Sequence, residues 1–411
     1  MSGKLKLRVA LATCALSCAL AGCGTLSTFP VDTTETPAQV LYESGDLRAQ
    51  VDALAQPLID NHVTPGLVVG VLLPSGERRV YGYGRRQQPD GEAPDGDTLF
   101  AVGSLSKGFL GEIVASLVRD GTLHWSDTLD TLLPPGTPLS DDARRITLLQ
   151  LATHTSGLPR QPFTHETFEA FVGYLFTGRS FYGHFDEPFI FHYLSDWSAP
   201  DEHEPIYSNT GYALLSYIVE RFSHQSVDAL LNERIVKPLH LDHTGYAPEQ
   251  LPGYANRAYG YAGDQPKFIR RGAPTPDWRF TNMMRGAAAL HSTVNDLLTY
   301  ADAHLNGSTD TALDAVLTDA LTVYVDRPKE AAAIAWVVDT VGQHKITYQV
   351  GMVAGYTSYI GLDQDNKTAV VVLQNSFNWT NQIGHRLLLR LASAGHMARV
   401  DALNSQHPAL N

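Results

Sequence analysis

Strand patterns stand at the two ends of this chain with most of its length between them, and that separation limits the folds open to it. Near the N-terminal end, residues 67–73 form an apolar run, Pro74-Ser75-Gly76-Glu77 makes a turn, and residues 79–83 complete a hairpin. The C-terminal third predicts strands at 332–338, 346–350, 356–362 and 368–373, with Asp363-Gln364-Asp365-Asn366 as a turn and a last helix over about 381–391. The middle, about 104–307, reads as helices and long loops. Strands gathered at both ends predict an α+β fold. One antiparallel sheet is built from the N- and C-terminal segments and flanked by helices, with a mostly helical second lobe beside it. There is no internal repeat and no interior linker, so residues 45–395 read as one unit of two lobes followed by a C-terminal tail at 396–411.

The first helix of the middle carries the chemistry. From Ser104 the apolar positions Phe109, Leu110, Ile113, Val114, Leu117 and Val118 recur at helical spacing and stop at Gly121. Residues three apart share a helix face, so Lys107 lies one turn after Ser104 and on the same side. The positive end of the helix dipole disfavours an ammonium there. A lysine whose pKa is depressed from about 10.4 can act as a base toward a serine nucleophile. Ser-x-x-Lys is a short pattern, but Lys107 is the only lysine of the chain with a serine three residues before it.

Residues 1–22 place Lys4, Lys6 and Arg8 before an apolar run and read as an export signal, too short for a membrane span. The segment ends Leu20-Ala21-Gly22-Cys23, which resembles a bacterial lipobox; the resemblance implies a lipidated Cys23 and, after processing, no free thiol or disulfide from Cys14 and Cys18. Residues 23–44 suit a flexible tether. Gly24 after the cysteine implies the periplasmic side of the outer membrane in a Gram-negative host. The formal charge of −13 argues against nucleic acid or bare anionic lipid as partners, so attachment to a membrane would come from the N-terminal lipid. Nothing in the sequence calls for a cofactor or a metal: His184, His192 and His203 lack zinc-ligand spacing.

A second motif, Tyr207-Ser208-Asn209, precedes a helix with apolar positions Leu214, Leu215, Ile218, Val219 and Phe222. An extended Tyr-x-Asn turns phenol and amide to one side, where Tyr207 can relay a proton and Asn209 can hold substrate and orient the lysine. Tyr254-Ala255-Asn256 also fits the pattern and reads as a surface turn. Ser-x-x-Lys, then Tyr-x-Asn, then a strand motif ending in glycine resembles the penicillin-recognising serine enzymes: class C β-lactamases, D,D-carboxypeptidases and related esterases. Ile146-Thr-Leu-Leu-Gln-Leu-Ala-Thr-His-Thr-Ser-Gly-Leu-Pro159, Arg234 to Tyr246 and Ala288 to Asp296 are similar to further signatures of that family.

The resemblance implies a β-lactamase/transpeptidase-like fold, an acyl-enzyme on Ser104 and an oxyanion hole from the backbone N–H groups of Ser104 and Met352. It also implies a substrate-binding Gln161 and an ester, amide, β-lactam or D-Ala-peptide-like substrate, including peptidoglycan peptides. The third motif departs from the pattern: the family's Lys-Thr-Gly is here Gln349-Val350-Gly351. A strand cation would pair with a substrate carboxylate, whereas Gln349 offers a neutral hydrogen bond. This favours uncharged esters or amides, unless an arginine from a loop serves the carboxylate. The changed motif also leaves open a non-catalytic lipoprotein that binds cell-wall peptide, against which the intact Ser104, Lys107 and Tyr207 argue. His154 and Ser156 are too close in sequence to face each other as a pair, and no G-x-S-x-G elbow is present.

Overall fold

The computed structural model describes residues 46–201, 204–327, 329–378 and 382–406. The expected leader at 1–22, Cys23 and the tether at 23–44 lie outside the described residues. The sheet has seven antiparallel strands: β1 (Gly66–Leu72), β2 (Arg78–Gly84), β5 (Ala331–Ala332), β6 (Val337–Val341), β7 (His344–Val353), β8 (Tyr356–Asp363) and β9 (Thr368–Gln374). Their order is β2-β1-β9-β8-β7-β6-β5, so the N-terminal hairpin joins the C-terminal strands through β1 and β9. The strands β3 (Phe100–Ala101) and β4 (His291–Ser292) form a separate pair.

Strand alternation divides the core. Leu67, Val69 and Val71 of β1 pack on the face covered by helix α1 (Leu47–Asp60) and the last helix, α10 (Ile383–Gln406). Val68 and Leu72 pack on the other face with Phe109, Leu110 and Ile113 of helix α2 (Ser106–Arg119). Each such side chain, fully buried, contributes about 1.5–3 kcal/mol. On that second face lie α3 (Leu148–Ala152), α4 (His165–Thr177), α5 (Glu187–Asp196), α6 (Asn209–Ser223), α7 (Asn282–Ala288), α8 (Val294–Asn306) and α9 (Thr311–Ala320). The α+β fold with a sheet shared between the chain's ends is as the sequence predicts.

Three boundaries differ. The strand expected at 332–338 is β5 and β6, with a reversal between them in which Ala335 takes φ +63°. Neither Gly nor Pro marks that turn. Tertiary bonds hold it, from Ile334 N–H to the Ala320 carbonyl and from Ala335 N–H to the Ala152 carbonyl. Strand β7 runs longer than expected, and α10 continues to Gln406 through the stretch read as a tail. The length of β7 matters for the site. It pairs with β6 only as far as Tyr348 but with β8 as far as Val353. From Gln349 onward one edge of β7 leaves β6 and passes the turn that carries Ser104.

Candidate active site

Ser104 sits in a single 3₁₀ turn, Gly103–Leu105, that runs into α2. The turn is fixed from three directions. Ser358 Oγ–H donates to the Val102 carbonyl at 2.7 Å, Ser106 Oγ–H donates to the Gly103 carbonyl at 2.5 Å, and Ser106 Oγ accepts from Leu290 N–H at 3.0 Å. Gly103 has φ +53°, and a Cβ on it would stand 3.1 Å from the N, C and O atoms of Met352. A Cβ on Gly351 would stand 2.1 Å from the Val102 carbonyl oxygen and 3.1 Å from Ser104 N. Glycine at 351 therefore lets the strand backbone lie directly on the serine turn, and brings the main chain of Met352 beside it.

Lys107 is 1% exposed. Its Nζ lies 3.3 Å from Ser104 Oγ and donates to the Ala287 carbonyl of α7 at 2.8 Å. Burial, with the Arg160 guanidinium adding to it, holds the ammonium well below its ordinary pKa and favours a neutral amine. The Tyr207 ring lies 5.0 Å from Nζ. Burial raises the Tyr207 phenol, against the opposing effects of Arg160 and the Ser104 hydroxyl, so the phenol stays protonated. Beside Ser104 the amine is thus able to accept a proton and the phenol to donate one.

The segments carrying these groups are clamped together. Ser208 caps α6, accepting from Gly211 N–H at 2.9 Å and donating through its hydroxyl to the Pro159 carbonyl at 2.9 Å. Asn209 N–H donates to the Arg160 carbonyl at 2.9 Å, and Ile206 N–H to the His154 carbonyl at 2.8 Å. His154 Nδ1 accepts from Ser208 N–H at 3.1 Å, and its ring stacks on Tyr207 with centroids 4.6 Å apart. Burial, then Lys107 and Arg160, hold His154 well below its ordinary pKa, so it is a neutral support for the Tyr207 segment.

A cavity of about 150 Å³ opens at Ser104. Gln161, Asn209 and Met352, which the sequence nominates for substrate binding, line it together with Arg160 and an aromatic wall that includes Phe181, Tyr182 and Trp278. Asn209 does not orient Lys107 through a hydrogen bond; its Nδ2 donates to the Tyr182 hydroxyl at 2.8 Å, and the Ala287 carbonyl holds the lysine instead. Gln349 is a correction to the sequence reading. It is 4% exposed and absent from the cavity lining. Its amide packs on α2, where a Cβ at Gly108 would stand 2.4 Å from Gln349 Nε2 and 2.9 Å from the Tyr300 hydroxyl. Alternation on β7 puts Gln349 and Gly351 on one face, but Gly351 meets the serine turn while Gln349 meets the helix behind it. Tyr254–Asn256 is a short 3₁₀ turn with no buried residue, as expected.

The profile of the Beta-lactamase family matches residues 51–394, most of the chain. The chain belongs to the Beta-lactamase family. It is 25% identical over 370 residues to the unguisins hydrolase ungD' of Aspergillus campestris, covering 85% of this chain and 66% of that one. It is 28% identical over 209 residues to the D-alanyl-D-alanine-carboxypeptidase/endopeptidase AmpH of Escherichia coli K12, covering 48% of this chain and 49% of that one. The chain thus spans about half to two thirds of the length of these relatives. Among solved structures, the D-alanine carboxypeptidase AmpC of Burkholderia cenocepacia superposes with a TM-score of 0.67 at 21% identity, covering 85% of this chain and 99% of that one, and shares the fold.

Sequence reasoning missed three groups of this family member's site. The Ala287 carbonyl on Lys107 is a backbone atom far away in sequence and leaves no motif. Tyr182 and its aromatic neighbours left a compositional trace, the density of Phe and Tyr between Phe163 and Tyr193. Arg160 lies next to the predicted Gln161, and no motif singled it out.

Proposed function

We propose that this protein is a serine hydrolase that forms an acyl-enzyme on Ser104. The observation that carries the reading is the Lys107 amine, buried, 3.3 Å from Ser104 Oγ and held below its ordinary pKa. Lys107 takes the Ser104 proton as Oγ attacks a carbonyl, the Tyr207 phenol gives its proton to the leaving group, and the Lys107 ammonium reprotonates the phenolate, which leaves both groups neutral. Backbone N–H groups of Ser104 and Met352 stabilise the developing oxyanion. Water then cleaves the acyl-enzyme, with the lysine again as base.

The substrate is an ester, amide, β-lactam or D-Ala-ended peptide; the carboxypeptidase among the relatives supports the last. The leader and Cys23 support export as a lipid-anchored protein with access to peptidoglycan peptides. The non-catalytic alternative loses its ground, because Gln349, the departure that suggested it, does not line the cavity. A panel of p-nitrophenyl esters, nitrocefin and D-Ala-D-Ala peptides tests the reading. Turnover of at least one class, abolished in Ser104→Ala, is expected; no turnover of any class and no acyl adduct on Ser104 would refute it.

A further inference from the structure

Arg160 is the one residue with a permanent positive charge among the described residues that line the cavity. Its guanidinium carbon rests 4.4 Å from the centroid of the Tyr207 ring. Two other arginines rest on tyrosine rings, and each also holds a carboxylate: Arg48, over Tyr81, bonds Asp52 at 2.9 Å, and Arg257, over Tyr254, bonds Asp277 at 2.9 Å. Arg160 has neither an ion pair nor a side-chain hydrogen bond among the described residues. Its effect on its neighbours is unfavourable to their protonated forms, since it adds to the depression of both Lys107 and His154.

A half-buried guanidinium with its N–H fork unused is a receptor for a planar anion, above all a carboxylate, which it can bind bidentately. Around it the cavity wall is aromatic: Phe171, Tyr174, Phe181, Trp278 and Phe280. Such a wall takes a bulky apolar or aromatic group. The sheet side brings no cation, because Gln349 faces Gly108. We infer that Arg160, from the loop before α4, binds the carboxylate of an acyl substrate that also carries a bulky apolar group, taking the task that a strand cation would otherwise perform. The inference rests on the reading of Ser104 as nucleophile for its reaction, but not for its binding.

Phenylacetyl-glycyl-D-lactic acid and its terminal carboxamide share one scissile ester and differ in the charge alone. The ratio of their kcat/KM values cancels any change in Lys107 reactivity, which acts on both. A charged hydrogen bond exceeds a neutral one by enough that the wild type is expected to prefer the acid by about threefold to thirtyfold. In Arg160→Gln the ratio falls to near one, and in Arg160→Lys, which keeps the charge but not the fork, it is intermediate. Calorimetric binding of phenylacetyl-D-alanine against its carboxamide gives the same comparison without turnover. A fluorophosphonate reports on Ser104 in each variant. Labelled Ser104 with an acid preference that Arg160→Gln and Arg160→Lys leave unchanged, or with no acid preference in the wild type in either assay, overturns the inference. Unlabelled Ser104 with acid binding that depends on Arg160 leaves the inference standing and removes the nucleophile reading instead.

Discussion

The two walls of the cavity contribute different kinds of group. From the helical side come the side chains that carry protons and charge: Arg160 and Gln161 on the loop after α3 and Asn209 at the start of α6 line the cavity, while Lys107 stands against Ser104 and Tyr207 against Lys107. From the sheet side come main chain and apolar surface at Met352 and Val353, with Gly351 lying against the serine turn. The difference follows from how each wall is built. A strand edge that must touch the serine turn needs a glycine and presents backbone, whereas loops clamped between helices can aim long side chains inward. If Arg160 binds the substrate carboxylate as inferred above, substrate preference is set from the helical side, and the sheet side is a template for geometry.

The comparison breaks most sharply at its centre. Ser104→Ala and Lys107→Ala each should lower kcat/KM by about a thousandfold or more, and the double variant by little beyond either, because the two act as a unit. Next comes the sheet wall. Gly351→Ala forces a Cβ to 2.1 Å from the Val102 carbonyl, so the turn or the strand must shift. A displacement near the chemistry costs about a hundredfold in rate, and the expected readout is a fall in kcat with the fold retained by circular dichroism. A Gly351→Ala protein with unchanged kcat would show that the close approach of β7 is not needed.

A third test uses pH. Lys107 must be neutral to accept the serine proton, so kcat/KM falls as pH drops through the lysine's folded pKa. Arg160 is the second cause that depresses it, after burial. Removing that positive charge raises the pKa, and the acid limb of kcat/KM for an uncharged ester should move to higher pH in Arg160→Gln. A limb that stays in place would separate Arg160 from Lys107. The smallest effect is expected at Gln349. Gln349→Lys buries an ammonium against Gly108 and the Tyr300 hydroxyl, outside the cavity, so thermal stability should fall while the nitrocefin-to-ester ratio stays within about twofold. A shift toward nitrocefin would return the carboxylate to the sheet side.

How much of this was legible in the sequence depended on the range of the contacts. Strands β1, β2, β8 and β9 were readable because period and turn residues are local signals, and the fold follows from their position at the chain's two ends. Ser104, Lys107 and Tyr207 were readable because spacing along one helix, or ahead of one, fixes which side chains share a face. The split between β5 and β6 was not, since Ala335 adopts its left-handed conformation through a bond to Ala152 far away in the chain. Gln349 was misplaced for a related reason: alternation gives the face of a strand, but it does not say which part of the neighbouring helix each residue on that face will meet. The His154 ring, set aside as a base, is held as a neutral support by a partner 54 residues away.

The central claim is that the buried Lys107 amine activates Ser104, and covalent labelling tests it most directly. After incubation with a fluorophosphonate, intact mass and peptide mapping should find a single adduct on Ser104, absent in Ser104→Ala and formed at least about a hundredfold more slowly in Lys107→Ala. An adduct on another residue, or equal labelling of Ser104 with and without the lysine, would contradict it.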